Sequence, residues 1–576
     1  MPEPNFALFY TEDAFTADVP QLMGMHAASS GFFRAYAGGL GDSLRVAYCN
    51  KVAQAEHFAA AVKAVDPSAR TAWVRTAAFD QLARVGAIYR PDPLLRDLAY
   101  MRLRANPRAW SIFGVTHTTA SVRAMQGLCD LVTAPLFPWD ALICTSRAVR
   151  ETVTDSLEKQ VDYLRWRLGS VAVTLPQLPV IPLGVHCDDF EFTEEQRRAA
   201  RAELGFGAGD VVFLFLGRLS PHSKAHPHAM YTALQRFAAL GRVSIGFVQC
   251  GWFGAPETEA AYREGAARHC PDVATRFLDG RQAAQRATAW AAADVFISLP
   301  DNIQETFGLT PIEAMAAGLP SIVSDWDGYR DTVRQGVDGY RIPTWMPTAP
   351  AGVDLALLYE ADAYSYEAYI AQVSQAVSID QETLFNAIGR LASDPPLRVR
   401  MGTAARGRAR EAFDWSQIFA RYLTLVEELN DLRRCYPNLS PGEAPREGPA
   451  RPDPFARFAR YATRRIEDTT LVELVAPAPA TIEALRKDPL FAPLAGGLPS
   501  AERSQRLLDV LAEESPLALE ALAARTETPI IEARRAIGWL AKVGLVRLKP
   551  PPRTPAAADA AAADKAAPQA VTGPVF

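Results

Sequence analysis

The fold class of this 576-residue chain is indicated most clearly by residues Ser298 to Thr344, SLPDNIQETFGLTPIEAMAAGLPSIVSDWDGYRDTVRQGVDGYRIPT. This stretch begins in an apolar run typical of a buried strand and continues through a loop that contains Glu305. A helix then opens at Thr310, which is suited to cap it, with Pro311 at its first position. The free backbone N–H groups from Gly308 onward predict an anion site, and hence a phosphate-bearing ligand.

Two glutamates in this stretch, Glu305 and Glu313, stand eight positions apart. The Thr310-x-x-Glu313 spacing also fits a capping box, which would stabilise any helix whatever its function. The alternative for Glu305 is an ordinary solvent-exposed loop residue without a function. However, a loop acid between the end of a strand and an anion-binding helix lies where α/β proteins bind ligands. We therefore favour a functional role for both carboxylates.

The whole block resembles the Glu-x7-Glu signature of the retaining glycosyltransferases of family 4, the glycosyl transferases group 1. The matching features are Glu-x-Phe-Gly-Leu at 305–309, Glu-Ala-Met-Ala at 313–316, Gly-x-Pro at 318–320 and Gly339. The resemblance implies the α/β GT-B fold, in which two Rossmann-like domains face each other across a cleft. It covers residues 6–430.

Two cations after the apolar run Val211–Leu216 resemble the family's diphosphate-binding pair. Arg218 follows this predicted strand directly, and Lys224 comes one residue later than the usual spacing. The resemblance puts both on the donor diphosphate, Glu313 on the ribose hydroxyls and Glu305 near the donor sugar. The implied donor-binding residues are Arg218, Lys224, Glu305, Phe307, Gly308, Leu309, Thr310 and Glu313.

The first part of the chain alternates strand and helix patterns, which predicts another βαβ domain N-terminal to the one just described. Residues 20–31 are predicted to form a loop on the acceptor side, followed by a helix at 31–37, and Gly24 and His26 are its candidate contacts. The family's usual Gly-Gly pair is missing from this loop, so the acceptor stays open. His117 follows an apolar run and resembles the family's histidine beside the transferred sugar.

Composition excludes several other classes of protein. A net charge of −5 gives no overall attraction to nucleic acid, and the seven cysteines contain no Cys-x-x-Cys pair. His222, His226 and His228 lie close together, but Pro227 prevents one regular element from aligning them, so we predict neither a metal site nor a cofactor. With no apolar run of about 18 residues and no signal peptide, we expect a cytoplasmic protein, with peripheral attachment to the inner membrane as an option.

The last part of the chain carries a small α-rich module. Three amphipathic helices and a short strand at 501–548 resemble a winged helix, and seven basic residues balance seven acidic ones. We therefore favour a protein partner over nucleic acid. The predicted boundaries are 1–187 for the first Rossmann-like domain, 188–395 for the second, 396–432 for helices that cross back, 433–454 for a Pro-rich linker, 455–500 unassigned, 501–549 for the module and 550–576 for a disordered tail.

The resemblance thus implies a hexosyltransferase-type enzyme that moves a sugar from a nucleotide-diphosphate sugar to an acceptor hydroxyl, with retention and without a metal. We expect His117, Arg218, Lys224 and Glu305 to be its catalytic residues. The acceptor stays open among a saccharide, a lipid-linked sugar and a protein. A GT-B nucleotide-sugar epimerase, a phosphorylase and a non-catalytic regulator remain as alternative functions.

Overall fold

A computed structural model describes residues 5–15, 24–169, 172–436, 445–475, 481–497 and 499–550. The chain divides into two compact units, residues 1–449 and 450–576. The first unit contains two lobes, each built on a six-stranded parallel sheet. Among the described residues, no helix is long and apolar enough to cross a membrane.

The sheet of the first lobe is buried on both faces because its strands are apolar at successive positions. Phe6 and Leu8 point into one core and Ala7 points into the other, as the two-residue period of a strand requires. The sheet order is β3-β2-β1-β4-β5-β6. The strands are β1 Ala7–Phe9, β2 Arg45–Cys49, β3 Thr71–Arg75, β4 Ala87–Arg90, β5 Ser111–Val115 and β6 Ala141–Ile143.

The helices of this lobe cover both faces of the sheet. They are α1 Glu12–Phe15, α2 Gly24–Gly38, α3 Val52–Val65, α4 Phe79–Val85, α5 Arg96–Leu103, α6 Val122–Thr133 and α7 Arg147–Leu168.

The prediction of a loop at 20–31 is wrong from Gly24 onward, because helix α2 already begins there. Gly31 lies inside this helix against Trp415, whose indole would be only 2.6 Å from an added Cβ. Gly31 thus serves close packing rather than a turn. Residues 16–23 lie outside the described part of the chain.

The second lobe repeats the winding of the first, with the order β12-β11-β10-β7-β8-β9. Two parallel sheets wound in this way confirm the predicted GT-B fold class. The strands are β7 Val211–Leu216, β8 Ile245–Gly251, β9 Ala274–Asp279, β10 Val295–Ser298, β11 Ser321–Ser324 and β12 Gly339–Ile342, and β13 Thr344–Trp345 pairs with β14 Ser378–Ile379. The helices are α8 Glu194–Leu204, α9 His228–Ala238, α10 Pro256–His269, α11 Ala283–Ala292, α12 Leu309–Ala316, α13 Tyr329–Thr332, α14 Val353–Glu360, α15 Tyr366–Ser374, α16 Gln381–Ser393 and α17 Pro395–Arg408.

A long helix, α18 Trp415–Cys435, returns from the second lobe to the core of the first. Its buried side chains, among them Phe419 and Tyr422, pack on the first sheet beside Phe6 and Phe32. The helix continues three residues past the predicted end at 432, and Arg433 in this last turn donates to the Gly86 carbonyl of the first lobe.

The second unit is larger than the module predicted at 501–549. Strand β15 Leu471–Leu474, from the segment left unassigned, lies between β16 Leu517–Ala518 and β17 Val546–Lys549 in an antiparallel sheet. Its core includes Val472, which is fully buried. The helices are α19 Pro454–Arg457, α20 Ile482–Lys487, α21 Ala501–Glu513, α22 Leu519–Arg525 and α23 Ile530–Lys542. Residues 551–576 of the tail predicted to be disordered at 550–576 lie outside the described residues, and so do residues 437–444 of the linker predicted at 433–454.

Candidate active site

The loops that follow β7 and β10 leave the same edge of the second sheet, because these strands are parallel neighbours. Arg218 and Lys224 lie on the first loop, and Glu305 lies on the second. The topology therefore brings together residues that are about 80 positions apart in sequence, at the edge where open α/β sheets bind ligands.

Lys224 and Glu305 form an ion pair with Nζ to Oε2 at 2.5 Å. Their side chains are 20% and 12% exposed, so the pair is largely withdrawn from solvent. Burial alone would lower the pKa of Lys224, but the Glu305 carboxylate outweighs it and raises that pKa above its usual range. The lysine is therefore a fixed positive charge, and it holds the glutamate in one position.

Arg218 is half-buried and only weakly engaged. Its Nη2 lies 3.5 Å from both the Ser223 carbonyl and the Gln304 side-chain oxygen, and its guanidinium lies 6.0 Å from the centre of the Trp252 ring. Hydrogen bonds to a charged group are usually nearer 2.8 Å. Most of the donor capacity of Arg218 is thus available to an anion.

Helix α12 begins at Leu309, after Gly308, and no side chain caps it. The predictions of Thr310 as N-cap, and of a capping box with Glu313, are therefore wrong. The reason is Gly308, whose φ of +79° turns the chain into the helix one residue earlier. An added Cβ there would lie 1.8 Å from the Tyr329 ring. The first N–H groups of α12 remain uncapped by side chains, as an anion site requires.

Glu313 is half-buried and has charged neighbours of opposite sign. Burial raises its pKa to about 7, although the nearby Arg286 and Lys224 act to lower it. A carboxyl group in this state takes up or releases a proton at neutral pH. A ligand hydroxyl can therefore find either a donor or an acceptor there.

The side chain of Phe307, a predicted donor-binding residue, lies in the core. It is 1% exposed and packs in a core cluster with Ile312 and Met315, and its ring lies 6.3 Å from that of Phe413. Leu309 packs on the same cluster. Only their backbone can serve a ligand.

The first lobe brings His117 to the cleft, just after β5. Burial lowers its pKa to about 4, so the ring is neutral at pH 7. A backbone hydrogen bond to Pro91 acts in the opposite direction. Its Nε2 is buried and has no hydrogen-bond partner in the described part of the chain. Such an orphaned nitrogen needs a ligand atom or water.

Gly24 is the first residue of α2, and His26 lies in the first turn of that helix instead of a loop. His26 is close enough to His117 to lower the pKa of that residue. The two histidines therefore lie near each other, with His26 on a helix where the sequence predicted a loop.

The loop of Glu305 touches the first lobe through the next residue, Thr306. The Thr306 hydroxyl donates to the His117 carbonyl at 3.1 Å, and the Ser146 hydroxyl donates to the Thr306 carbonyl at 2.9 Å. These contacts position Glu305 and His117 relative to each other across the cleft.

Three further acidic or phenolic groups near the cleft were not predicted. Burial raises the pKa of Asp327 to about 8 and that of Asp301 to about 7, and Asp327 accepts from Ser146 at 3.2 Å. Burial raises the pKa of Tyr366, against the opposing influence of Thr118 and Arg218, and its buried hydroxyl has no hydrogen-bond partner among the described residues. The Asp-Gly turn at 327–328 was a usable signal for Asp327. Nothing in the sequence around Tyr366 marks it.

No group of three metal-ligating side chains occurs in the described ranges. Two of the three histidines at 222–228 make ring contacts. The ring centres of His226 and His228 are 6.3 Å apart, and those of His228 and His269 are 4.8 Å apart.

The lobe that contains Arg218, Lys224 and Glu305 is similar to a known protein family. The family described as glycosyl transferases group 1 matches residues 196–351. D-inositol 3-phosphate glycosyltransferase of Geodermatophilus obscurus is 33% identical over 32% of this chain and 41% of its own length. Phosphatidyl-myo-inositol mannosyltransferases are 30% identical in Mycobacterium tuberculosis, over 37% of this chain and 52% of theirs, and 26% identical in Mycobacterium leprae, over 53% and 70%. The chain thus spans about half the length of the first relatives that it matches.

Proposed function

Because residues 196–351 match the family of group 1 glycosyl transferases, we propose that the protein is a family 4 enzyme that transfers a sugar from a nucleotide-diphosphate sugar to an acceptor hydroxyl. One observation carries the proposal. The Lys224–Glu305 ion pair lies near Arg218, which makes only weak hydrogen bonds, and near the start of α12, which no side chain caps. The three positive groups suit a diphosphate, and the carboxylate suits sugar hydroxyls.

The diphosphate is held by Arg218, Lys224 and the first N–H groups of α12. Arg218 offers a planar fork of donors, and Lys224 offers a compact charge. Preorganised positive groups of this kind stabilise the charge that develops on a leaving phosphate. We therefore propose a reaction that does not depend on a metal ion.

Donor binding changes the partner of Lys224. In the free protein its ammonium group is paired with Glu305. A diphosphate oxygen competes for the same ammonium, which releases part of the carboxylate to accept hydroxyls of the donor sugar. The ion pair thus keeps Glu305 ordered until the sugar arrives.

His117 contacts the sugar from the first lobe. Its bond to the Pro91 carbonyl requires a ring N–H, so in the neutral ring the orphaned Nε2 is an acceptor. We assign it a sugar hydroxyl as partner. Since burial lowers its pKa to about 4, it does not act as a charged group at neutral pH.

We propose retention of the anomeric configuration by front-face attack. The bond from the anomeric carbon to the phosphate oxygen breaks while the acceptor oxygen approaches from the same face. The departing phosphate takes the proton of the acceptor hydroxyl, so that no protein base is needed. Glu313 holds the ribose of the donor in this arrangement.

The relatives are named for inositol-based acceptors, so an inositol derivative is the first acceptor to test. We also propose a cytoplasmic location at the inner face of a membrane. All seven cysteines lie in described parts of the chain and none forms a disulfide, which fits a reducing compartment. For the second unit we propose a winged-helix-like module that binds a protein, because seven basic and seven acidic residues balance at 501–548.

The test is turnover of UDP-, GDP- and ADP-sugars by purified protein, with and without acceptors and with a chelator. We expect acceptor-dependent release of nucleoside diphosphate that survives chelation, and a product of unchanged anomeric configuration by NMR. An inverted product would refute retention, and loss of activity with the chelator would refute metal independence. Donor conversion without acceptor would identify an epimerase, and dependence on inorganic phosphate would identify a phosphorylase.

A further inference from the structure

A short run at the start of the second unit combines exposed rings with unpaired positive charge. We define the basic-aromatic segment as residues 454–466, PFARFARYATRRI. It contains α19 and the turns that follow it. The motif aromatic-Ala-Arg occurs twice in succession, and a tyrosine follows the second copy.

The rings of this segment are left in water. Phe455, Phe458 and Tyr461 are 73%, 50% and 85% exposed, whereas most aromatic residues of the chain are in its cores. The rings of Phe458 and Tyr461 lie 5.2 Å apart, so they form a local apolar patch. Phenylalanine has no polar group to offset this exposure, and clustered exposed rings mark contact surfaces.

The charge of the segment is uniformly positive. It contains Arg457, Arg460, Arg464 and Arg465 and no acidic residue, although the whole chain carries a net charge of −5. All four arginines are exposed, and none of them takes part in an ion pair within the described ranges. In contrast, Arg534 and Arg547 of the same unit are paired with Asp468 and Glu473. The local field therefore attracts anions.

We propose that the basic-aromatic segment binds the surface of an anionic phospholipid membrane. Aromatic side chains enter the boundary between headgroups and acyl chains, while arginines pair with the lipid phosphates and stay at the surface. A single-stranded nucleic acid could also stack on rings beside arginines. It needs a longer track of positive charge, and the neighbouring residues 501–548 are electrically balanced. The observations therefore favour the membrane.

This inference rests on the proposed location at a membrane but not on the proposed reaction. Binding to vesicles and sugar transfer to a soluble acceptor are separate measurements. Each can fail while the other succeeds.

The test is sedimentation of the full-length protein with phosphatidylcholine vesicles that contain or lack 30% phosphatidylglycerol. We expect binding to the anionic vesicles only, and a decrease as salt rises. The triple variant Phe455→Ser, Phe458→Ser, Tyr461→Ser should lower the partition coefficient by about tenfold or more. The variant with all four arginines changed to glutamine should lower it similarly and remove most of its salt dependence.

The matched control is Tyr163→Ser with Trp166→Ser, an exposed aromatic pair of the first unit that lies beside Arg165 and Arg167. Its binding should equal that of the wild type. All variants change exposed side chains, so their melting temperatures should be unchanged. Equal binding to neutral vesicles, loss of binding only in the control variant, or tighter binding to a single-stranded RNA oligonucleotide than to vesicles would overturn the proposal.

Discussion

The two lobes of the first unit have the same strand order, yet the corresponding edges of their sheets carry different chemistry. In the second lobe this edge carries Arg218, Lys224 and Glu305, and in the first it carries His117 and Ser146. The second lobe thus presents charged side chains, whereas His117 of the first lobe is neutral at pH 7, because burial lowers its pKa to about 4. The fold thus decides where a ligand binds, and the loop residues decide which lobe holds its charged part.

The largest expected effect tests the charged edge. Lys224→Ala should lower kcat/KM by on the order of a hundredfold, because it removes a proposed phosphate contact and also leaves the Glu305 carboxylate without its partner. The melting temperature should fall as well. Steady-state kinetics and thermal unfolding measure both effects.

Arg218→Ala is the matched control for that variant. Its weak contacts in the free protein predict a loss of about tenfold in kcat/KM with no change in melting temperature. If Lys224→Ala had the kinetics of the wild type, the Lys224–Glu305 ion pair would not be part of the active site.

Glu305→Gln separates sugar contact from phosphate contact within the same edge. We expect kcat to fall by about tenfold or more, since the proposed partner of the carboxylate is the donor sugar. Nucleoside diphosphate binding should become tighter, because a negative charge that competes for Lys224 is removed. Calorimetric titration with the diphosphate shows the sign, and weaker binding would contradict the assignment.

His117→Ala tests the edge of the first lobe. Because the proposed partner of Nε2 is the sugar, kcat should fall by about fivefold while diphosphate affinity stays at the wild-type value. A loss of diphosphate affinity as large as that of Arg218→Ala would show that both lobes hold the phosphates, and the comparison of the two edges would fail.

Glu313 gives a smaller effect that depends on pH. Burial raises its pKa to about 7 in the folded state, so the folded protein binds a proton more tightly than the unfolded chain. That contribution to stability is complete below the unfolded pKa and is lost as pH rises through about 7. Asp301 and Asp327, with pKa values of about 7 and about 8, act in the same direction.

Glu313→Gln should therefore match the wild type in melting temperature at pH 5 and exceed it by about 2 °C at pH 8. Its diphosphate affinity should still be weaker, because an amide accepts the ribose hydroxyls less well than a carboxylate. Melting curves at both values of pH decide the first point. An equal decrease with pH in wild type and variant would exclude Glu313 as a source of the pH dependence.

The smallest expected effect concerns the second unit. Removal of residues 450–576 should leave transfer to a soluble acceptor within about twofold of the wild type, since every proposed ligand contact lies in the first unit. A folded but inactive truncation would show that the second unit completes the site.

Sequence patterns predicted the two lobes because their buried strands are continuous apolar runs such as Val211–Leu216. The same patterns could not predict the ion pair of Lys224 and Glu305, since nothing local to residue 224 identifies a partner 81 positions away. Motif resemblance named both residues separately.

The wrong predictions have local physical causes. Thr310 satisfied the preferences of an N-cap, but the positive φ of Gly308 and the ring of Tyr329 behind it fix the helix start earlier. The start of α2 was mistaken for a loop because glycines 24 and 31 suggested turns, while Gly31 is small to make room for Trp415.

The chain passes between the lobes twice, near residues 185 and 414, and the two passages are hydrogen-bonded to each other. Val185 donates to the Phe413 carbonyl at 2.9 Å, and Trp415 donates to the Val185 carbonyl at 2.9 Å. Since the two connections are bonded to each other, we expect them to act as a single hinge between the lobes. The polar contacts of Thr306 with the first lobe would then have to break whenever the lobes separate, so Thr306→Val should favour the open protein.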